Sequence, residues 1–194
     1  MKMEFHPVTH DRWSDLETLF GKNGACAGCW CMWWRIRRSV WDKQKGEGNR
    51  KALKKLVTQG SEPGILAYVD GKPAGWVCVG PREDFPVLEN SRLFKRIDDQ
   101  KVWSIVCFFT ARPYRRTGMT GKLIDASIRH ARKKGARVLE AYPVEPKKDK
   151  MPDLFAYTGF SSVFRKAGFQ EVIRRSETRP MMRMELTQRR KGAK

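Results

Sequence analysis

The chain has 194 residues, which is enough for one domain with a sizeable core. Hydrophobic residues make up 40% of it and charged residues 31%, a composition typical of a globular protein and unlike that of a disordered chain. No apolar run approaches the roughly eighteen residues of a membrane-spanning helix, and the first residues lack the layout of a secretory signal. Five cysteines, an odd count, favour a reducing, cytoplasmic setting over a disulfide framework.

The net charge of +19 is concentrated in the second half of the chain. Residues 101–194 carry 23 basic and 8 acidic side chains, against 17 and 13 in residues 1–100. This imbalance predicts an anionic partner for the second half. A nucleic acid, an anionic membrane surface and a phosphorylated cofactor all satisfy it, so charge alone does not choose among them.

The first hundred residues are predicted to form strands and helices around one hairpin. The hairpin is predicted because Asp70-Gly71 separates two apolar runs. The block Cys29–Arg35 is rich in aromatic side chains and fits neither a helix nor a strand clearly. In chain order the predicted elements are a strand over Met3–Val8, a helix capped by Thr9 or Asp11 and running to about Phe20, a glycine break over Gly46–Gly48, a helix over Asn49–Thr58, strands over Gly64–Val69 and Ala74–Val79, and a short helix over about Ser91–Ile97.

The second half alternates strands with helices. Val102–Thr110 shows little polar alternation, which predicts a central strand covered on both faces. In chain order we predict a strand over Val102–Thr110, a helix over Gly118–Lys134 stopped by Gly135, a strand over Val138–Val144, a charged loop over 145–153, a helix over Ser161–Ala167, and strands over Phe169–Ile173 and Met181–Leu186. This order implies one α/β (α+β) domain over residues 1–187, with helices on both faces of a sheet, and a basic, disordered tail over 188–194.

The junction between the central strand and the next helix carries the clearest chemical signal. It reads Arg115-Arg116-Thr117-Gly118-Met119-Thr120-Gly121. The first main-chain N–H groups of a helix are unpaired and lie at the positive end of its dipole, and glycines let a ligand approach the backbone. The junction therefore predicts a binding turn for a pyrophosphate, although its spacing is neither a Walker loop nor a dinucleotide fingerprint. The alternative is a basic helix start whose glycines serve packing.

Two segments resemble the signatures of the GNAT N-acetyltransferase family. Arg115-x-x-Gly118-x-Thr120-Gly121, which follows the apolar strand, resembles the family's Gln/Arg-x-x-Gly-x-Gly/Ala motif for acetyl-CoA. Phe164-Arg165-Lys166-Ala167-Gly168-Phe169 resembles its second signature, a short helix that ends in Gly-Phe. The two motifs together, about forty-five residues apart, are more specific than either alone, and the order of elements fits nearly the whole chain.

The resemblance implies the acyl-CoA N-acyltransferase fold, a mixed, twisted sheet of about six to seven strands with helices on both faces, whose two middle parallel strands splay apart. It implies acetyl-CoA as co-substrate in that gap. The pantetheine arm would pair with the main chain of Cys107, Phe108 and Phe109. The pyrophosphate would be held by the turn of Arg115, Arg116, Thr117, Gly118, Met119, Thr120 and Gly121. Phe164 and Lys166 would lie near the thioester.

Two positions depart from the family's pattern. Thr120 stands where the signature has Gly or Ala, which narrows the turn, although its hydroxyl can bond a phosphate. Phe164 stands where the family often has the tyrosine that protonates the departing thiolate. Phenylalanine has no proton to give, so another group or solvent must supply it.

Acetyl transfer to an amine requires a deprotonated amine, a polarised carbonyl group and a stabilised leaving thiolate. Val138, Glu140 and Tyr142 alternate along one predicted strand and therefore share a face. We expect Glu140 to be the general base, directly or through water, and Tyr142 or Tyr157 to be the general acid. The alternatives are a surface carboxylate paired with Arg137 for Glu140 and an ordinary half-buried aromatic for Tyr142.

The aromatic block and its cysteines suggest two further hypotheses. The first is an acceptor site walled by Trp30, Trp33 and Trp34, whose flat rings suit an aromatic, apolar or cationic acceptor. Packing in the core or in a dimer interface is the alternative. The second concerns Cys26-x-x-Cys29-x-Cys31, whose spacing is close to that of a metal site. No second pair of ligands follows it, so we expect apolar thiols packed beside tryptophans and no metal.

Three functions fit these observations. The favoured one is an N-acetyltransferase that moves an acetyl group from acetyl-CoA to a primary amine by direct attack in a ternary complex, with the acceptor unidentified. A basic nucleic-acid-binding protein would use residues 133–137, Arg174-Arg175 and the tail, although no nucleic-acid-binding motif is present. A non-catalytic acyl-CoA-binding module is the third, suggested by Phe164. The resemblance leaves a homodimer open, and no membrane partner is expected.

Overall fold

The computed structural model describes residues 2–147 and 156–186. The strands are β1 (Met3–Pro7), β2 (Gly64–Val69), β3 (Lys72–Pro81), β4 (Trp103–Thr110), β5 (Val138–Ala141), β6 (Gln170–Arg174) and β7 (Pro180–Glu185). The helices are α1 (Trp13–Phe20), α2 (Arg38–Lys43), α3 (Glu47–Thr58), α4 (Pro86–Glu89), α5 (Met119–Lys133) and α6 (Ser161–Lys166). The strands form one seven-stranded sheet in the order β1-β2-β3-β4-β5-β7-β6. Among the strands of the described residues, only the pair β4–β5 is parallel, which confirms the predicted mixed sheet.

Helices cover both faces of the sheet, as predicted. On one face, α1, α3 and the aromatic block pack over a core that includes Trp76 and Tyr142. On the other face, α5 and α6 pack over a core that includes Val77 and Ile105. β4 lies between the two layers, which explains why its sequence lacks polar alternation.

Turn residues end several elements where the sequence predicts. Asp70 and Gly71 both have positive φ, 47° and 77°, the geometry of a two-residue hairpin turn between β2 and β3. Gly135 follows α5 with φ 82°, the left-handed backbone that commonly ends a helix. Both predictions are confirmed.

Other local predictions are wrong. Ser91–Ile97 forms no helix, and the helix of this region is α4, which begins at Pro86, a residue favoured at the first helical position. The helix α2 was not predicted. The predicted glycine break is limited to Gly46, because Gly48 lies inside α3. The tail over 188–194, and the predicted loop beyond residue 147, lie outside the described residues.

The two parallel strands separate after a short paired stretch. β4 and β5 pair from Trp103 to Ile105 on β4, and the last partner on β5 is Ala141. β4 continues to Thr110, whereas β5 ends before the predicted Val144, which keeps only an isolated bridge. We call the gap between β4 beyond Ile105 and the chain beyond Ala141 the β4–β5 cleft.

A bulge in β4 lies at the level where the cleft opens. Cys107 pairs with Cys78 of β3, whereas Ile105 pairs with Val79, so Val106 is the extra residue on β4. A bulge bends its strand and disrupts the local ladder. It therefore turns β4 away from β5 and opens the cleft that the family resemblance implies.

Candidate active site

The turn before α5 is the segment in which the sequence predicts a phosphate site. Gly118 precedes the helix with a left-handed backbone, φ 78° and ψ 10°, and Arg116 is also left-handed, with φ 62°. No side chain among the described residues caps this helix start. The amide groups of the first turn therefore face the exposed side of the turn without a capping partner, as an anion site requires.

Basic side chains surround this turn and tie it to the end of β4. Arg115, Arg116 and Lys122 are exposed, and the Nε of Arg115 donates a hydrogen bond to the Thr110 carbonyl at 3.2 Å. The hydroxyl of Thr117 donates to the Tyr114 carbonyl at 2.7 Å. The turn is thus both positively charged and fixed in position relative to β4.

The first turn of α5 packs against α6. Met119 is buried, and Thr120 and Gly121 are partly buried. A Cβ added at Gly121 would lie 3.8 Å from a methyl group of Val163, an ordinary contact. The contact between α5 and α6 therefore does not require glycine at position 121, and Thr120 is accommodated beside it as a partly buried residue.

The short segment 156–160 crosses the β4–β5 cleft. The N–H of Phe108 donates to the Tyr157 carbonyl at 2.6 Å. The N–H of Val144 donates to the Gly159 carbonyl at 2.9 Å, so the same segment also pairs with the chain beyond β5. For the main chain of Cys107–Phe109 to pair with a pantetheine arm as predicted, Phe108 must exchange its present partner for that arm.

Phe164 lies in the core beneath this segment. It is completely buried, and its ring packs edge-on against Phe108 and Phe169 at centroid distances of 6.0 and 5.1 Å. A Cβ at Gly159 would lie 2.9 Å from the Phe164 ring, so the crossing segment needs glycine there. Phe164 is therefore a packing residue, and Lys166 is exposed at the end of α6.

Glu140 and Tyr142 form a buried network with Arg82. The Nη1 of Arg82 donates to Oε1 of Glu140 at 2.6 Å and to the Tyr142 hydroxyl oxygen at 2.7 Å. The Tyr142 hydroxyl donates to the same carboxylate oxygen at 2.5 Å. The other oxygen, Oε2, accepts from Nε of Arg183 at 2.7 Å. Arg82 and Glu140 are each 1% exposed.

This network corrects the roles predicted for Glu140 and Tyr142. They share a face, as predicted, but the face is buried and every polar atom of the pair is engaged within the protein. Burial, reinforced by the Glu140 charge, raises the pKa of Tyr142 well above its ordinary value. Neither side chain is open to an amine or a thiolate. The alternative pairing of Glu140 with Arg137 is wrong, because its partners are Arg82 and Arg183.

Of the three predicted catalytic residues, Tyr157 is the one that lies at the β4–β5 cleft. Its carbonyl holds Phe108, its side chain is half-buried, and its hydroxyl makes no hydrogen bond to any residue of 2–147 or 156–186. Burial, with a further contribution from Cys107, raises the pKa of Tyr157 to about 12, although Arg179 acts in the opposite direction. The hydroxyl therefore keeps its proton at neutral pH.

The tryptophans predicted to wall an acceptor site lie mostly in the core. Trp30 and Trp34 are 5% and 8% exposed and pack among other aromatic rings. Both tryptophans are therefore packing residues, as the alternative prediction has it. The buried Trp34 ring does not form an exposed wall of an acceptor site. Trp33 is half-buried, and the Arg38 guanidinium covers its ring at 4.1 Å.

Arg82 has no counterpart among the predicted site residues. It directly follows β3, and its guanidinium also binds Glu89 and the Phe94 carbonyl, at 2.8 and 2.6 Å. Its partner Glu140 lies 58 residues away in sequence. A pair of this kind leaves no local pattern, so only the fold reveals it.

Comparison with known proteins decides the family. The profile of the Acetyltransferase (GNAT) family matches residues 30–160, more than half of the chain. This chain belongs to the GNAT family. The resemblance drawn from the two motifs is thereby confirmed, and the cleft between β4 and β5 is part of a GNAT fold. Among curated protein sequences, none matches this chain significantly.

Solved structures support the same GNAT fold. PaiA N-acetyltransferase of Thermoplasma acidophilum, in complex with coenzyme A, is 13% identical with a TM-score of 0.54, over 95% of this chain and 99% of that one. YncA of Salmonella typhimurium, with acetyl-CoA, is 13% identical with a TM-score of 0.54, over 97% and 96%. A GNAT-family protein of Desulfovibrio desulfuricans is 14% identical with a TM-score of 0.54, over 96% and 100%. At these identities the likeness concerns the fold.

Two further properties of the described residues of this GNAT protein concern membranes and metals. None of their helices is both long enough and apolar enough to span a membrane. Residues 2–147 and 156–186 also contain no group of three or more His, Cys, Asp or Glu side chains placed to hold a metal ion.

Proposed function

We propose that this GNAT protein transfers the acetyl group of acetyl-CoA to a primary amine by direct attack in a ternary complex. The observation that carries the proposal is the turn before α5, with its left-handed Gly118 and uncapped helix start directly after β4. Main-chain N–H groups and the helix dipole suit the diphosphate of the co-substrate. The solved PaiA and YncA proteins hold coenzyme A and acetyl-CoA, which supports the same co-substrate here.

The residues around the cleft divide the binding of acetyl-CoA among them. The turn of residues 115–121 would hold the diphosphate, with Arg115 and Arg116 adding charge. The strand edge of Cys107–Phe109 would pair with the pantetheine arm through the N–H of Phe108. That N–H now donates to the Tyr157 carbonyl, so a carbonyl of the arm would replace this main-chain acceptor.

Acetyl transfer then needs one bond made and one broken. The amine nitrogen attacks the thioester carbonyl carbon, a C–N bond forms, and the C–S bond breaks. The nitrogen loses one proton, and the departing sulfur takes up one. Glu140 is buried, so solvent accepts the proton from the nitrogen. The Tyr157 hydroxyl, protonated and without a partner among the described residues, gives its proton to the departing sulfur and takes up another from solvent.

Calorimetry with acetyl-CoA and detection of free coenzyme A by mass spectrometry test this function. We expect saturable binding of acetyl-CoA, and coenzyme A release that depends on one member of a panel of primary amines. Binding without release by any amine supports a non-catalytic acyl-CoA-binding module instead. Binding of RNA or DNA that weakens with salt, with no heat from acetyl-CoA, supports the nucleic-acid-binding alternative. We place the activity in the cytoplasm, because all five cysteines are free thiols.

A further inference from the structure

Four of the five cysteines gather on the face of the sheet that carries α1 and α3. Cys31 and Cys78 are buried in the core of this face, and Cys29 and Cys107 pack against it. All five cysteines, including the exposed Cys26, are free thiols. The proposed acetyl transfer uses none of these sulfur atoms.

Cys31 and Cys107 contact each other although 76 residues separate them in sequence. Their Sγ atoms lie 3.7 Å apart. The indole N–H of Trp76 donates to the Sγ of Cys31 at 3.0 Å and holds it in place. The bulge in β4 turns both Val106 and Cys107 toward this face, which brings Cys107 to Cys31.

The segment that presents Cys31 has an unusual backbone. Trp30 and Cys31 have φ of 47° and 53°, and Ala25 and Ala27 have φ of 68° and 48°. This segment therefore contains four of the six non-glycine residues that have positive φ in the described chain. Left-handed backbone at such residues costs free energy and persists where the surroundings impose it, often at functional positions. Here it aims the Cys31 thiol at β4.

We propose that Cys31 and Cys107 are an oxidation site that forms a reversible disulfide and weakens acetyl-CoA binding; the second part rests on the proposed function. A disulfide needs its sulfur atoms about 2.05 Å apart, so the two Sγ atoms must approach by less than about 2 Å. Cys107, the more exposed of the pair, reacts first with a peroxide to give a sulfenic acid and one water. The Cys31 sulfur then displaces the hydroxyl group as a second water. Two S–H bonds are lost, one S–S bond forms, and hydrogen peroxide is reduced to two waters.

The two thiols resist oxidation in the resting protein. The contact with Cys107 and burial raise the pKa of Cys31 well above its ordinary value. The contact with Cys31 lowers the pKa of Cys107, but burial and the other thiols outweigh it and leave that pKa raised. Both groups are therefore protonated at neutral pH, and the pair responds to an excess of oxidant rather than to air.

The disulfide would act on the cleft through β4. Cys107 directly precedes Phe108, whose N–H is the strand-edge donor at the cleft. Drawing Cys107 toward Cys31 displaces that donor from the position in which it serves the Tyr157 carbonyl now and the pantetheine arm in the proposed complex. Oxidation should therefore lower the affinity for acetyl-CoA rather than only the rate.

Peptide mapping of the full chain tests the site without an activity assay. The protein is reduced, freed of reductant, treated with hydrogen peroxide, alkylated and digested with trypsin. The tryptic peptide 23–35 contains Cys26, Cys29 and Cys31, and the peptide 102–115 contains Cys107. The double variant Cys26→Ser/Cys29→Ser leaves Cys31 as the only cysteine of the first peptide. We expect the two peptides to be cross-linked in this variant and in the wild type, with two alkylatable thiols lost per chain.

Calorimetry on the same samples tests the consequence. We expect acetyl-CoA affinity to fall at least 10-fold on oxidation and to recover with dithiothreitol. The Cys31→Ser variant should form no cross-link and keep its affinity in peroxide. If Cys31→Ser does not fold, Cys107→Ser should likewise show no cross-link.

The outcomes separate this proposal from the proposed function. Retention of all five thiols, or a disulfide between Cys26 and Cys29 alone, overturns the oxidation site. Equal acetyl-CoA affinity in the reduced and cross-linked protein overturns its effect on binding. A cross-link in a protein that binds no acetyl-CoA when reduced supports the oxidation site and overturns the proposed function.

Discussion

The Arg82 guanidinium lies 2.6 Å from the Glu140 carboxylate, and both side chains are buried at the level where β4 and β5 separate. Glu140 stands opposite Ser104, one pair before the last β4–β5 pair, and Ser104 shares a 2.9 Å hydrogen bond with Tyr142. Two buried charges are stable in such a place only because each has several partners. The network therefore fixes the closed end of the β4–β5 cleft.

Replacing Arg82 by alanine should destabilise the protein strongly. Glu140 would keep only Arg183 as a charged partner, and removal of one member of a buried ion pair typically costs about 3–5 kcal/mol. Arg96→Ala is the matched control, because Arg96 also binds Glu89 but is 32% exposed. That surface pair should contribute no more than about 1 kcal/mol. Urea denaturation measures both, and a loss below about 1 kcal/mol for Arg82→Ala would contradict the role of the network.

Gly118→Glu should abolish acetyl-CoA binding, because a carboxylate would face the site of the diphosphate. Gly135→Glu is the control, since Gly135 is also left-handed and, like Gly118, has no atom within 4 Å of an added Cβ. It lies at the other end of α5, so the same backbone strain is imposed away from the proposed site. Calorimetry with acetyl-CoA compares the two. Equal affinities in both variants would remove Gly118 from the site.

Tyr157→Phe should lower kcat by about 10²-fold and leave acetyl-CoA affinity nearly unchanged, because it removes a donor used as the sulfur departs. Tyr142→Phe should keep kcat and instead lose stability of about 1–3 kcal/mol, since it breaks a buried network. Steady-state kinetics and urea denaturation of the two variants separate these effects. A Tyr142→Phe enzyme slower than Tyr157→Phe would reverse the assignment.

His130 should make stability depend on pH in the mildly acidic range. Burial lowers the pKa of His130 and outweighs Glu62, which raises it. As pH falls below about 6.5, the unfolded chain takes up a proton before the folded protein does. Neutral His130 therefore makes its full contribution to the free energy of unfolding above that pH. The contribution declines as the pH falls further, until His130 is protonated in the folded protein as well.

The variant His130→Gln should remove this part of the pH dependence. The free energy of unfolding, measured with urea between pH 8 and pH 5, should fall less steeply in His130→Gln than in the wild type. His10→Gln, at an exposed position, should keep the wild-type slope. Identical slopes in all three proteins would show that His130 does not carry the effect.

The sequence predicted most strands and helices because their signals are local. Asp70-Gly71 marks a turn wherever it separates apolar runs, and the apolar spacing of α5 indicates a helix without reference to the rest of the chain. The turn before α5 is local for the same reason. Its charge, its glycines and its place after a strand all lie within residues 102–124.

Long-range contacts decided the features that could not be predicted. Ser91–Ile97 is not a helix because three of its carbonyls have distant partners. Those of Leu93 and Lys95 accept hydrogen bonds from Arg175, and that of Phe94 accepts one from Arg82. The burial of Glu140 likewise depends on two arginines from distant strands and loops. Patterns within a short window cannot report such partners.

The order of the strands also has a consequence for synthesis on the ribosome. β7 lies between β5 and β6, although it follows both in the chain. A nascent chain therefore exposes one unpaired edge of β5 until β7 has been translated, and Glu140 lacks Arg183 for the same interval. Co-translational folding of this half of the sheet must therefore wait for β7, and the unpaired edge of β5 is open to wrong pairing until then.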